Sequence, residues 1–167
     1  MSSKSSIKYE LEGVDGSIAI NSIKIVAKKA KIAVNYKNSE SLCFKINNNE
    51  NIKSCLSILR YIAEMAPASQ LYGNTLFHEA VINQYLELFW NELELQLYTN
   101  TSDFNSSKIL KFIDDLLLDN TYIVGNMVTL ADIYLFSVIK FSKEHNIDLK
   151  SNYQNISRWF TTLENKL

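Results

Sequence analysis

The sequence predicts an α+β chain in which a small β-α-β-β-α lobe is followed by an all-helical lobe. Three observations lead there. Period-two alternation of apolar and polar residues occurs only before Asn47, and that period belongs to half-buried strands. From Leu76 onward the apolar residues recur at helical spacing. Between the two regimes lies a segment holding the lone proline, Pro67, and Gly73. The expected boundaries are 1–64 for the first lobe, 65–74 for the linker and 75–167 for the helical lobe.

Residues 7–12 alternate, with Ile7, Tyr9 and Leu11 on one side and Lys8, Glu10 and Glu12 on the other; Gly13 and Gly16 end the strand. Ala19, Ile23, Val26, Ala27 and Ala30 then fall on one helix face. Ile32, Val34 and Tyr36 alternate, as do Leu42, Phe44 and Ile46. The short polar segment Lys37 to Ser41 between them predicts an antiparallel hairpin. Asn47-Asn48-Asn49 reads as a turn, and Ile52, Cys55, Leu56, Leu59, Ile62 and Ala63 form the stripe of a second helix.

In the second lobe, residues 76–98 read as one long helix with a wide apolar surface. Leu76, Ala80, Tyr85 and Leu88 cover one side, while Ile82, Leu86, Phe89, Trp90, Leu93 and Leu97 extend over much of the rest. A surface helix needs a single stripe. This one therefore either packs on both its own bundle and a partner, or is buried deep in the bundle. Thr99 to Asn105 is a polar loop, after which Ser106 or Ser107 can cap a helix carrying Ile109, Phe112, Ile113, Leu116 and Leu117. A last helix starts near 153 with Tyr153, Ile156, Trp159, Phe160 and Leu163 as its core side. It reaches Glu164-Asn165-Lys166-Leu167 without a capping signal, which suggests a domain cut from a longer protein.

With 47% hydrophobic and 21% charged residues, the chain has the make-up of an ordinary globular domain. It shows no signal peptide and no apolar run of membrane-spanning length, so a cytoplasmic-type domain is expected. A net charge of −1 argues against a domain that grips a nucleic-acid backbone by itself. The cluster Lys24, Lys28, Lys29 and Lys31 reads as a solvated helix face, with a weak tRNA or phosphate contact as the alternative. Cys43 and Cys55 stand at apolar positions and are expected as buried thiols, not as a disulfide framework or a metal site. His78 and His145 have no evident acid or nucleophile partner in the sequence. No catalytic group, metal or cofactor is expected.

Thr129-Leu130-Ala131-Asp132 is a capping box: the Thr129 hydroxyl can take the Asp132 N–H while the Asp132 carboxylate takes the Thr129 N–H. Val128 before the cap and Ile133 after it suit a hydrophobic staple. The helix that follows is apolar nearly all round and is expected at the centre of the lobe.

Tyr122-Ile123-Val124-Gly125, then this box and its apolar helix, closely resemble the core of glutathione-transferase C-terminal domains. Asn155-Ile156-Ser157-Arg158-Trp159-Phe160 resembles the last helix of the same domain, so the likeness covers about residues 75–165. Ile58 to Ala63 is similar to the helix closing the family's thioredoxin-like lobe. The resemblance implies a transferase fold with a reduced thioredoxin-like lobe. In that family a Tyr, Ser or Cys near the end of the first strand activates the glutathione thiol. Here the stretch is Glu12-Gly13-Val14-Asp15-Gly16-Ser17: Asp15 would oppose a thiolate, and Ser17 suits a helix cap. The family's cis-proline has no counterpart before Ile32 or Leu42, its acid-serine pair falls on Ser54 and Cys55, and its second helix has no room between Tyr36 and Leu42.

The resemblance is narrower still to the transferase-like domains of aminoacyl-tRNA synthetase complexes, carried by Glu79 to Glu87 and by Asn155 to Phe160. Among these are the smallest auxiliary protein of the animal complex and the N-terminal domain of the apicomplexan tRNA import protein. It implies a non-catalytic docking domain whose partners are aminoacyl-tRNA synthetases, met through their own transferase-like domains. It implies a homodimer or heterodimer, with tRNA held by a further C-terminal domain and membrane association where the full protein is of the import type. The implied contacts are Arg158 with Ser157 on the last helix, and Tyr85, Phe89 and Trp90 on the long one. An Arg158 bonded to its own loop is the alternative at that position. An elongation-factor-1-type structural domain and a divergent glutathione-dependent enzyme are the competing functions.

Overall fold

The computed structural model describes residues 9–99, 107–145 and 152–167. The expected positions Ile7, Lys8 and Ser106 lie outside them, as does the polar loop from residue 100 on. The first lobe contains β1 (Tyr9–Gly13), α1 (Ile18–Ala30), β2 (Val34–Asn38), β3 (Cys43–Lys45), β4 (Asn51–Ile52) and α2 (Cys55–Met65). Ser17 caps α1 by accepting the Ile20 N–H at 3.3 Å. Lys31 ends it in the left-handed region at φ 58°, with Lys28 and Lys29 suitably placed in the negative last turn.

The strands pair in the order β2-β1-β3-β4. β1 runs parallel to β2 and antiparallel to β3, so the expected hairpin between Ile32–Tyr36 and Leu42–Ile46 does not form. Residues 39–42 instead carry the chain over the end of β1, where the Ser39 N–H donates to the Gly13 carbonyl at 2.9 Å. Gly13 makes room for α1: a Cβ there would lie 2.7 Å from Ile20 Cδ1. The hairpin is β3–β4, turning at Asn47 to Asn49, and Ile52 belongs to its second strand and not to the following helix. On one face of the sheet Leu11 and Phe44 are fully buried. The other face carries Glu10, Glu12 and Lys45, with Lys45 bridging Glu12 at 2.7 Å and Glu10 at 3.6 Å. A sheet with one charged face needs helices on one side only, which is how the lobe does without a helix between β2 and β3.

After a short turn at Pro67–Ser69 come α3 (Leu76–Phe89), a wider π turn (Trp90–Glu94) and α4 (Leu95–Thr99), so the long apolar helix is one path broken by a change of pitch. α5 (Ser107–Asp119), α6 (Leu130–Glu144) and α7 (Gln154–Glu164) complete the lobe. Ser107 is the first residue of α5 itself. The Asn165 side chain donates to the Thr161 carbonyl at 3.0 Å, so α7 has an end cap that the sequence did not announce. α6 is buried on all sides through its first ten residues, Leu130 to Ile139, and packs on α1, α2 and α3. Its buried Ser137 and Ser142 bond to the Ile133 and Ile139 carbonyls of their own helix. A backbone bond from Leu130 N–H to the Leu71 carbonyl at 2.8 Å pins the start of α6 to the segment between the lobes.

The Asp132 carboxylate lies wholly inside and accepts four hydrogen bonds. Oδ1 takes the Ile123 N–H at 2.9 Å and Trp159 Nε1–H at 3.0 Å; Oδ2 takes the Thr129 N–H at 2.9 Å and the Thr129 hydroxyl at 3.0 Å. Both halves of the capping box are present. The Thr129 hydroxyl also donates its own hydrogen to the carboxylate. Val128 is half-buried against the core and Ile133 is fully buried. Burial pushes Asp132 up from its ordinary pKa, while the four donors pull it down. Three of the four partners are N–H groups that can only donate and so favour the ionised form, while burial is the larger influence and leaves the net shift upward.

Asp132→Ala would strand these donors in the core and is expected to cost about 3 kcal/mol or more in urea unfolding, by analogy with breaking a buried charge network. Asp132→Asn turns an amide N–H₂ toward two donors and is expected to be destabilising as well, which separates loss of charge pairing from loss of volume.

Candidate functional site

Two places gather the residues that the sequence singles out. The first is a cleft of about 450 Å³ between the lobes, lined by Ala19, Leu42, Ser54, Cys55, Trp90 and Glu94 among others. It lies at the start of α2. Ser54 is the residue before the first turn but makes no side-chain cap bond. Cys55 is buried, its thiol 3.6 Å from Ser22 Oγ, and burial pushes it up to about 12. A thiol so placed is a poor nucleophile at neutral pH. Cys43 is only half-buried, against the expectation for both cysteines, because it stands on the charged face of β3 opposite Glu12.

Glu94 is a residue that sequence reasoning missed. The π turn brings two consecutive residues, Leu93 and Glu94, inward together. Glu94 accepts the Tyr134 hydroxyl from α6. Burial raises its carboxyl to about 7, against the opposing pull of that hydrogen bond. Tyr134 is raised in turn, by burial first and then by Glu94.

At the end of β1 the groups have other partners. Asp15 is exposed and bridged to Lys24 at 3.1 Å, and the hydrogen bond from that ammonium holds it below its ordinary value. Ser17 is committed to capping α1. His78 lies at the start of α3 with Nδ1 2.7 Å from Asn74 Oδ1, and His145 stacks on Phe141 at the end of α6. Among the described residues no group of three His, Cys, Asp or Glu is arranged to hold a metal, and no helix is long and apolar enough to cross a membrane.

The second place is α7. Arg158 is exposed and donates from Nη2 to the Leu117 carbonyl and, at 3.4 Å, to that of Asn120. Both lie at the C-terminal end of α5, the negative end of its dipole. The neighbouring Asp114 side chain accepts the Asn155 and Ile156 N–H groups at 2.8 and 3.0 Å, tying the first turn of α7 to α5. Ser157 is half-buried beside Arg158. Trp159 and Phe160 are in the core, Phe160 stacking on Phe136 at 4.7 Å. On the long helix the expectation needs correcting: Tyr85 and Phe89 face inward, 5.9 Å apart and stacked, because the inner stripe of α3 runs through them. Trp90 alone of the three is partly outside, at 37% exposure.

Fold and site thus define a two-lobed, transferase-like chain in which the stretch expected to activate a thiol holds an ion-paired Asp15 and a capping Ser17, and the place of the acid-serine pair holds Ser54 and a buried Cys55. Residues 82–166 match the family described as glutathione S-transferase, C-terminal domain; the chain belongs to that family. It is 27% identical over 119 residues to mouse (Mus musculus) eukaryotic translation elongation factor 1 epsilon-1, covering 71% of this chain and 66% of that protein. It is 30% identical over 138 residues to the mouse bifunctional glutamate/proline–tRNA ligase, covering 81% of this chain and 9% of the ligase. Both relatives are translation proteins by name. A possible glutathione S-transferase from Rhodopseudomonas palustris superposes with a TM-score of 0.83 at 15% identity, over 93% of each chain. That likeness concerns the fold.

Two measurements follow from the cleft. Glu94 has a folded pKa near 7 against an ordinary 4.5, so its contribution is full below about 4.5 and is lost as pH rises through 7. Relative to Glu94→Gln, the wild type should lose at most about 3 kcal/mol of unfolding free energy across that window. In thiol labelling of the folded protein at neutral pH, Cys43 should react and Cys55 should stay protected until the protein unfolds.

Proposed function

We propose that the chain is a non-catalytic docking domain that brings aminoacyl-tRNA synthetases together with a tRNA-binding protein. The observation that carries this reading is the state of Arg158. Its guanidinium is exposed yet held by carbonyls at the end of α5 through Nη2 alone, which leaves the Nε–H and Nη1 donors, on its other sides, without a partner among the described residues. A pre-positioned guanidinium loses little freedom on meeting a carboxylate or a second planar group. The named relatives, an elongation factor and a tRNA ligase, favour synthetases as the partners.

In this reading residues 1–64 and 75–167, joined by 65–74, act as one docking unit. It uses two faces, one around Arg158 and Ser157 and one around Trp90, to form homodimers or heterodimers with transferase-like domains. Contact with tRNA falls to another part of a longer protein. A glutathione-dependent enzyme is the competing reading, because the solved structures that share the fold are transferases.

The test is an affinity pull-down from source-cell lysate with wild type beside Arg158→Ala, bound proteins being identified by mass spectrometry. Synthetases captured by the wild type and lost by the variant are expected. Elongation-factor subunits without synthetases would overturn the choice of partner. A rise in melting temperature with millimolar glutathione would favour the enzyme reading instead, since a ligand that binds only the folded state must stabilise it.

A further inference from the structure

A basic stretch free of carboxylates lies along one edge of the sheet. From Ser17 to Ser39 the chain carries Lys24, Lys28, Lys29, Lys31 and Lys37 and no Asp or Glu, in a protein whose net charge is −1. The fold collects this stretch in one place, because α1 and β2 are consecutive and β2 is an edge strand. Among the described residues β2 has a strand on one side only. The Ser39 N–H points to the Gly13 carbonyl. The alternation of a parallel ladder then turns the N–H and C=O groups of Asn35 and Lys37 toward β1 and those of Val34 and Tyr36 toward the open side.

Beside that open side is a groove of about 210 Å³ between β2 and α1. Leu11, Ala27, Ile32, Val34 and Tyr36 give it apolar walls, and Lys24 and Lys28 line it as well. Lys24 sits 3.6 Å over the Tyr36 ring and shares its charge with Asp15 in an exposed pair of the kind that exchanges partners at little cost. Lys28 reaches the Leu167 carbonyl at 2.7 Å.

We propose that the β2 edge receives an extended acidic segment of a partner protein as an added strand, with an apolar side chain in the groove and carboxylates against the α1 lysines. Unpaired ladder groups match a peptide backbone, and they otherwise leave an edge open to indiscriminate pairing. The basic rim selects acidic sequences. Single-stranded RNA fits less well, since it needs a series of stacking surfaces and the groove offers one ring, Tyr36, already covered by Lys24. The surface is distinct from the α7 and Trp90 faces and does not depend on them.

The probe is an end-capped synthetic peptide of about six residues alternating Val and Glu, the length of one strand. It is titrated into the full chain and followed by amide chemical shifts and by fluorescence anisotropy. Saturable binding is expected, with the Val34 and Tyr36 amides shifting most. Lys24→Glu with Lys28→Glu should weaken binding by roughly tenfold or more. Val34→Pro should abolish it while sparing the β1 ladder, because it removes an outward N–H at an edge position where proline is tolerated. The double lysine variant keeps the test decisive if the proline variant unfolds. The proposal fails if the peptide does not bind, if binding is indifferent to these substitutions, or if an oligouridine of equal charge binds the same edge more tightly than the peptide.

Discussion

The architecture of the helical lobe depends on one buried carboxylate. Asp132 joins the loop at Ile123, the cap at Thr129 and the indole of Trp159 through four hydrogen bonds. A charge taken out of water is tolerated only when its lone pairs are filled, and here protein donors fill them. The consequence is positional. The start of α6, the approach from α5 and the inner face of α7 are referred to the same two oxygen atoms. Because α7 is set this way, Arg158 falls next to Trp159 in sequence but on the outside, where it meets the end of α5. The proposed docking face is therefore positioned by the folding device.

The sheet lobe is fixed by a different economy. With no helix between β2 and β3, the outer sheet face has nothing to cover it, and the sequence answers with Glu10, Glu12 and Lys45 there. The strand order still puts β1 in the middle. A connection of only four residues, 39–42, can reach from β2 to β3 because both meet β1 at the same end, past Gly13. Arg60 then ties this lobe to the next: its Nε donates to Asn83 at 2.6 Å, and Asn83 also bonds Tyr72. These bonds join α2, the connecting segment and α3.

Much of this is written plainly in the sequence, and the misses have physical causes. Helices with a single apolar stripe, such as α1 and α2, or with a capping box at the start, such as α6, are legible because period or capping chemistry marks them. The hairpin reading failed because alternation identifies strands but not their neighbours. Lys37 to Ser41 contains none of the Asn-Gly or Asp-Gly turn pairs of a tight hairpin, which is the signal that could have prevented the error. The resemblance names Tyr85 and Phe89 as contacts, and the sequence could not show that they face inward, because a helix that is apolar over most of its circumference gives no direction for its inner side. Glu94 was invisible for a further reason: an acid following Leu93 reads as solvent-facing on a regular helix, and only the change of pitch at Trp90–Glu94 turns it inward.

That buried acid also bears on what the cleft is for. A carboxyl raised to about 7 beside an inert thiol is of little use for activating a nucleophile, since the catalytic requirement is a group that lowers the pKa of its neighbour, whereas the charged form of Glu94 would raise that of Cys55 further. What Glu94 does instead is hold Tyr134, on α6, against the π turn. The position of Trp90, which opens that turn and stands at its surface, is thereby coupled to the core helix. The bonds made by Ser22, Cys55, Glu94 and Tyr134 engage the polar groups around this cleft with one another, which supports the proposed role of Trp90 over thiol activation.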